Sequence, residues 1–152
     1  MMAAAAQLDP SAASTSNRVR VLCVEDNEIV ADALRSRLGL EPGIEWAGWL
    51  ASADDLVAAV EGERPDIILL DIDMPGRDPF EALQEALARS PHTRAVMFTG
   101  HVRKPLVDRA IAAGAWGYVS KEDGAQALVD AITRVLNGEF VFSPSVQALM
   151  RH

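Results

Sequence analysis

Residues 67–76 read Ile-Ile-Leu-Leu-Asp-Ile-Asp-Met-Pro-Gly, four apolar residues followed by an acidic loop with proline and glycine. Apolar side chains at every position of a short run are typical of a strand covered on both faces, as in a parallel sheet. Asp71 stands where that strand would end. Because ligands bind at the carboxyl ends of parallel strands, this stretch indicates both the fold class and the place of the functional site.

The rest of the chain alternates β-rich runs with stretches of helical spacing. Strands are predicted at Val19–Val24, Ile44–Trp49, Ile67–Leu70, Ala95–Phe98 and Trp116–Val119. Apolar stripes at helical spacing follow them, beginning at Ile29, Leu56, Phe80, Leu106 and Leu128. Five strands and five helices joined by short links predict an α/β fold, a doubly wound five-stranded parallel sheet with helices on both faces.

Four residues mark expected helix ends. Ser52 with Asp55 three residues later has the form of an N-cap followed by an acidic residue. Gly114 and Gly138 occupy positions where glycines commonly follow helices.

The composition narrows the functional class. The chain has 152 residues and a formal net charge of −8, which fits one domain and argues against a nucleic-acid-binding module with a basic face. No run of eighteen apolar residues occurs, which argues against a membrane-spanning chain. The single cysteine, Cys23, excludes an internal disulfide and a multi-cysteine zinc site, and it suits a reducing cytoplasm.

The two ends differ from the patterned middle. Residues 1–17 are rich in alanine and serine and lack the basic start and apolar stretch of a secretory signal, so we expect a disordered tail on a cytoplasmic protein. Residues 18–138 are predicted to form the domain. Residues 139–152 are predicted to be a C-terminal extension or the start of a linker.

Polar residues follow four of the predicted strands. They are Glu25 and Asp26, Asp71 and Asp73, Thr99, and Ser120 with Lys121. Acidic residues brought together at one sheet edge repel one another unless a cation intervenes, and a small carboxylate cluster suits Mg²⁺. A lysine and a hydroxyl beside a metal-bound carboxylate supply the charge and the donors that a phosphoryl group needs.

Four segments of this chain resemble the receiver domain of two-component response regulators. They are VLCVED at 21–26, IILLDIDMPG at 67–76, FTG at 98–100 and GAWGYVSK at 114–121. The resemblance extends from Arg18 to Gly138 and implies the flavodoxin-like receiver fold. It also implies a phosphoprotein of phosphorelay signal transduction that uses Mg²⁺ and is phosphorylated by a sensor histidine kinase or a histidine phosphotransfer protein.

The resemblance implies a role for each matched acid. Asp71 matches the aspartate that becomes 4-aspartylphosphate, and Lys121 matches the cation that pairs first with that aspartate and then with its phosphate. Asp26 matches the direct Mg²⁺ ligand, with Glu25 as its acidic partner. Asp73 would give the metal its backbone carbonyl oxygen.

The resemblance also implies a switch. Thr99 matches the hydroxyl that moves to meet the phosphoryl oxygen, and Tyr118 matches the aromatic residue whose rotamer follows that shift, although a tyrosine there also suits ordinary packing. Asp73 and His101 flank the phosphoryl position in this fold and are predicted to set the phosphate lifetime. The alternative for both side chains is that they point to solvent and have little effect.

Two positions depart from the family pattern. Pro79 replaces the usual glycine, so the loop after Asp71 is expected to take another path, while a helix can still start at the proline. Glu122 follows Lys121 where many receivers have proline. This variation at position 122 is common in the subfamily with LuxR-type helix-turn-helix outputs. The segment Ala131–Met150 also resembles the last receiver helix and the start of the linker in that subfamily.

The chain stops at His152, before any DNA-binding helices. We expect a stand-alone receiver rather than a truncated regulator, without direct DNA binding or a membrane partner. The sequence leaves a homodimer open as an alternative to a monomer.

Two alternative functions share parts of this pattern. A haloacid-dehalogenase-like phosphatase also has an aspartate motif after an apolar strand, but its second acidic pair follows the lysine, and no strand is predicted after Lys121 here. A pseudo-receiver that binds partners without phosphorylation is the other alternative, and the intact Asp71 and Thr99 argue against it. We therefore expect no enzymatic activity beyond the protein's own phosphorylation and dephosphorylation.

Overall fold

The computed structural model describes residues 18–151, and the tail predicted at 1–17 lies outside that range. The strands are β1 (Val19–Val24), β2 (Ile44–Leu50), β3 (Ile67–Leu70), β4 (Arg94–Thr99), β5 (Gly117–Ser120) and β6 (Val141–Phe142). The helices are α1 (Glu28–Leu38), α2 (Leu56–Glu63), α3 (Pro79–Arg89), α4 (Lys104–Ala112), α5 (Gly124–Leu136) and α6 (Pro144–Met150). Short 3₁₀ helices lie at Ala53–Asp55 and Lys121–Asp123.

The sheet has the strand order β2-β1-β3-β4-β5-β6, and every neighbouring pair is parallel. This confirms the predicted parallel α/β class. The order reverses at β1, so the carboxyl ends of β1 and β3 form the crevice where such sheets bind ligands.

The predicted number of elements was too small by one strand and one helix. β6 and α6 follow the expected five of each, and the expectation that no strand follows Lys121 was wrong. β6 has only two residues, Val141 and Phe142, which is too short for an alternating pattern to be read from the sequence. It forms because the exposed edge of β5 supplies hydrogen-bonding partners for its backbone.

Two apolar layers cover the sheet. Alternate residues of β1 point to opposite faces: Leu22 and Val24 join the layer under α2, α3, α4 and α6, while Val21 and Cys23 join the layer under α1 and α5. β3 is therefore buried on both sides, which explains its continuous apolar run at 67–70.

The helix ends largely follow the local sequence signals. Gly114 and Gly138 adopt positive φ angles of 103° and 88° just after α4 and α5, as predicted. Ser52 caps the 3₁₀ helix rather than α2, with its Oγ accepting from the N–H of Asp54 at 3.2 Å. α3 begins at Pro79, and Asp78 caps it by accepting from the N–H of Phe80 at 2.9 Å.

Within residues 18–151, no helix combines the length and the apolar character required to cross a lipid bilayer.

Candidate functional site

The acidic cluster lies where β1 and β3 end side by side. Val24 is paired with Leu70, so the next residues of the two strands, Glu25 and Asp71, also become neighbours. Glu25, Asp26 and Asp71 each offer one carboxylate oxygen, and these oxygens lie within 4.8 Å of one another. Glu25 and Asp71 are buried, whereas Asp26 is exposed.

Lys121 reaches this cluster from the end of β5. Its Nζ donates to Glu25 Oε1 at 2.7 Å and to Asp71 Oδ2 at 3.1 Å. The 3₁₀ turn that carries Lys121 is capped by Ser120 Oγ, which accepts from the N–H of Glu122 at 3.1 Å. Burial alone would lower the pKa of Lys121, but its hydrogen bonds and attraction to Glu25 and Asp71 outweigh burial and raise that pKa. The ammonium therefore stays charged beside the two acids.

The environment of Glu25 differs from that of a surface carboxylate. Burial raises its pKa above the usual glutamate range, although the ammonium of Lys121 and the N–H of Asn27 act in the opposite direction. The N–H of Asn27 donates to Glu25 Oε2 at 3.1 Å, so this carboxylate is oriented from both sides.

The donor set fits a hard divalent cation. Three carboxylates within reach of one point offer the oxygen ligands that Mg²⁺ prefers, with open positions left for water. Asp71 is held in this arrangement because its Oδ1 accepts from the N–H of Ile72 at 2.8 Å. The proposed contribution of the Asp73 carbonyl oxygen stays a prediction.

Thr99 and Tyr118 both form a hydrogen bond with the backbone of His101. Thr99 is fully buried at the end of β4, and its Oγ1 accepts from the N–H of His101 at 3.1 Å. Tyr118 on the neighbouring strand is also buried, and its hydroxyl donates to the carbonyl oxygen of His101 at 2.6 Å. Burial, reinforced by the negative charge of Asp71, raises the pKa of Tyr118 to about 12.

The structure also brings together Asp73 and His101. His101 Nε2 lies 3.2 Å from Asp73 Oδ2, and the two side chains are 51 % and 77 % exposed. They therefore contact each other at the mouth of the site, although each is open to solvent. Of the other predicted residues, Glu25, Asp26, Asp71 and Lys121 form one cluster. Thr99 and Tyr118 are linked instead to the backbone of His101.

Sequence reasoning missed one polar contact at the cluster. Trp49, near the end of β2, donates from Nε1 to the backbone carbonyl oxygen of Glu25 at 2.6 Å. A tryptophan at the end of a predicted strand carries no signal for this contact, because the contact depends on how β2 pairs with β1. The indole holds the peptide unit that leads into Asp26.

Asp54 organises the loop after Asp71. Its Oδ1 accepts from the N–H of Arg77 at 2.8 Å. Gly76 has φ 95°, and a Cβ there would lie 2.6 Å from Asp54 Oδ1, so glycine is required both for the backbone and for this close approach.

Comparison with known proteins gives concordant matches. The profile of the response regulator receiver domain matches residues 21–133. The response regulator protein VraR of Staphylococcus epidermidis is 34 % identical over 134 residues, which cover 88 % of this chain and 64 % of that protein. The chain therefore spans somewhat less than two thirds of the length of the curated relatives it matches.

Two solved structures extend the comparison. A LuxR-family two-component response regulator from Aurantimonas sp. SI85-9A1 has a TM-score of 0.83 and 29 % identity, covering 88 % of this chain and 96 % of that one. A CheY-like receiver domain protein from Methanospirillum hungatei JF-1 has a TM-score of 0.73 and 27 % identity, covering 80 % of this chain and 95 % of that one.

Proposed function

Since the chain belongs to the response regulator receiver domain family, we propose that Asp71 accepts a phosphoryl group in a Mg²⁺-dependent reaction and thereby switches a partner-binding surface. One observation carries the proposal most directly. The ammonium of Lys121 bridges Glu25 and Asp71 inside the acidic cluster, so a cation contacts both the proposed phosphoryl acceptor and a proposed metal ligand.

The transfer follows from the chemistry of these groups. The Asp71 carboxylate attacks the phosphorus of a phosphohistidine in line with the leaving imidazole nitrogen. A P–O bond forms, the P–N bond breaks, and the imidazole leaves with the electron pair and takes up a proton. Lys121, already 3.1 Å from Asp71 Oδ2, neutralises negative charge on the phosphoryl oxygens. Water later reverses the modification by cleaving the acyl phosphate.

Glu25, Asp26 and Asp71 would hold the metal, with the Asp73 carbonyl oxygen as a further ligand. Bound there, Mg²⁺ would neutralise charge on the phosphoryl oxygens and so lower the barrier to transfer. Glu25 keeps the site oriented through its contacts with Lys121 and Asn27. The reaction is the protein's own modification, and we propose no other substrate.

The switch uses two buried side chains, Thr99 at the end of β4 and Tyr118 within β5. We propose that the Thr99 hydroxyl turns towards the phosphoryl group and that Tyr118 occupies the space next to it. Both side chains hydrogen-bond to the backbone of His101. A shift of Thr99 would therefore move the backbone that binds the Tyr118 hydroxyl. The surface of α4 and β5 then changes shape in a two-state equilibrium biased by a local charge.

The phosphoryl donor in this proposal is a sensor histidine kinase or a histidine phosphotransfer protein in the cytoplasm. The relatives named VraR and the LuxR-family regulator support placing this chain in a phosphorelay. The switched surface binds a second copy of this chain or another protein. Asp73 and His101 are proposed to set how long the phosphoryl group survives.

The test is phosphorylation by a small donor. Incubation with acetyl phosphate and MgCl₂ should add one phosphoryl group, located on Asp71 by mass spectrometry after borohydride trapping, and size-exclusion chromatography should report any change in assembly. Omission of Mg²⁺ should abolish labelling. A folded protein that takes up no phosphoryl group, or takes it up elsewhere, would contradict the proposal and favour a phosphorylation-independent binding module.

A further inference from the structure

Residues 139–151, here called the C-terminal strap, run along the outer edge of the sheet. The N–H of Val141 donates to the carbonyl oxygen of Trp116 at 3.0 Å, and the N–H of Ser143 donates to that of Tyr118 at 3.1 Å. The strap thereby closes the edge of β5, the strand that carries Tyr118 and leads into Lys121.

Polar side chains fasten the strap to the turn that carries Lys121. The N–H of Ser120 donates to Ser143 Oγ at 2.9 Å, and Ser143 is buried. On the other side of the turn, Asp123 accepts from the N–H of Ser145 at 3.0 Å and from its hydroxyl at 2.6 Å. Lys121 therefore lies between two residues, Ser120 and Asp123, that both bind the strap.

Apolar side chains of the strap complete the surroundings of Tyr118. Phe142 is the register partner of Tyr118, so the two side chains emerge on the same face of the sheet. Val146 is fully buried and belongs to the same apolar cluster as Tyr118, with Leu149 and Met150 packed at its border. The strap therefore shields the side of Tyr118 that faces away from β4.

We propose that the C-terminal strap is a positioning element that holds Tyr118 in the buried position described above and steadies the Lys121 turn, and so favours the phosphorylated state of Asp71. The proposal rests on the proposed function, in which Tyr118 fills the space beside Thr99 once Asp71 is phosphorylated. The strap and the phosphoryl group then stabilise the same position of Tyr118. Because coupling between two sites is reciprocal, phosphorylation must in turn tighten the strap.

The first test asks whether the strap holds Tyr118, and it needs no phosphoryl donor. Val146→Ala removes buried volume from the strap, and Val60→Ala makes the same change in α2, where Val60 is also fully buried. In Val146→Ala alone, hydrogen exchange of residues 139–151 should accelerate about fivefold, and the titration midpoint of Tyr118 should fall below that of the wild type. Equal effects in both variants, or none in Val146→Ala, would overturn the proposal.

The second test asks whether the strap is coupled to Asp71. With acetyl phosphate and Mg²⁺, amides of residues 139–151 should exchange more slowly in the wild type and remain unchanged in Asp71→Asn. Val146→Ala should be labelled several-fold more slowly than Val60→Ala at the same Mg²⁺ concentration. Ser145→Ala, which loosens the strap without touching the core, should act in the same direction.

The two tests separate the two possible failures. Strap exchange that stays the same or rises on phosphorylation overturns the coupling while the proposed function stands. A wild-type protein that takes up no phosphoryl group overturns the proposed function, and the coupling with it, whatever the titration of Tyr118 shows.

Discussion

The Tyr118 hydroxyl donates a 2.6 Å hydrogen bond to the carbonyl oxygen of His101, the residue whose N–H donates to Thr99 at 3.1 Å. One residue of the loop between β4 and α4 thus links both proposed switch side chains. The tyrosine is 1 % exposed, so its hydroxyl depends on this acceptor rather than on water. Thr99 and Tyr118 are therefore connected through a single backbone segment.

The buried hydroxyl of Tyr118 should ionise at a higher pH than the hydroxyl of an exposed tyrosine. Its pKa is raised to about 12, whereas the unfolded chain ionises near the ordinary tyrosine value of about 10. The contribution of this group to stability is thus fully present below pH 10 and is lost as the pH rises towards 12. Tyr118 is the only tyrosine in the chain, so absorbance at 295 nm should report its midpoint directly.

Two controls accompany that titration. Far-ultraviolet circular dichroism at each pH shows whether the chain is still folded, and Tyr118→Phe should remove the absorbance change altogether. A midpoint near 10 in a protein that keeps its native circular dichroism would contradict the buried, hydrogen-bonded hydroxyl.

Asp71→Asn should retain the fold and lose the phosphoryl acceptor. Asparagine is nearly isosteric and its carbonyl oxygen can still accept from Lys121, but it lacks the nucleophilic carboxylate. Mass spectrometry after incubation with acetyl phosphate should detect no adduct, while the thermal midpoint stays close to that of the wild type. Asp73→Asn is the matched control and should still be labelled; labelling of Asp71→Asn at the wild-type rate would show that the acceptor lies elsewhere.

Asp26→Asn should weaken Mg²⁺ binding about tenfold or more, because the ion loses a full negative charge from its ligand set. Without Mg²⁺, the variant should be no less stable than the wild type, since one source of repulsion among Glu25, Asp26 and Asp71 has been removed. Mg²⁺ titration followed by tryptophan fluorescence measures the first effect and urea unfolding the second. Asp32→Asn, an exposed change on α1, is the control. Equal Mg²⁺ affinity in both variants would exclude Asp26 as a ligand.

Trp49→Phe should raise the Mg²⁺ concentration needed for phosphorylation several-fold. The variant keeps an aromatic ring but loses the N–H that holds the Glu25 carbonyl oxygen at 2.6 Å, so the peptide leading into Asp26 is no longer fixed. The rate at saturating Mg²⁺ should be unchanged, because the indole acts on metal binding only. Trp46→Phe on the same strand is the control. A lower maximal rate with an unchanged Mg²⁺ requirement would contradict this positioning role.

The sequence was most informative where a candidate site residue lies at the carboxyl end of a buried strand. The positions of Glu25 and Asp71 follow from their own strands, because apolar runs reveal parallel strands and the carboxyl ends of adjacent strands meet. Thr99 and Lys121 follow from the same rule applied to β4 and β5. The roles of these residues came from the family resemblance and remain predictions.

The contacts that the sequence did not predict depend on tertiary pairing. Trp49 reaches Glu25 only because β2 lies beside β1 with a shift in register between Val21 and Leu22. The sixth strand has two residues, too few to produce a periodic pattern. It forms because the backbone at the edge of β5 supplies its hydrogen-bonding partners. Neither propensity nor spacing encodes such partners, which appear only once separate elements are assembled.

His101→Ala should shorten the lifetime of the Asp71 phosphoryl group. Hydrolysis needs a water molecule in line with the phosphorus, and His101 and Asp73 contact each other at 3.2 Å at the mouth of the site. Removing the imidazole opens that approach and releases Asp73, so decay should accelerate several-fold. Phosphate release after removal of the donor measures the rate, with His92→Ala, a distant exposed histidine, as the control.

A double-mutant cycle tests whether His101 acts through Asp73. If the contact itself restricts water, Asp73→Asn should also accelerate decay. His101→Ala should then add little in the Asp73→Asn background, because the effects of substituting two residues in contact are not additive. Full additivity would mean that each side chain shields the phosphoryl group separately. Equal decay of the wild type and His101→Ala would remove His101 from the control of lifetime and leave that role to Asp73 and the path of the loop after Asp71.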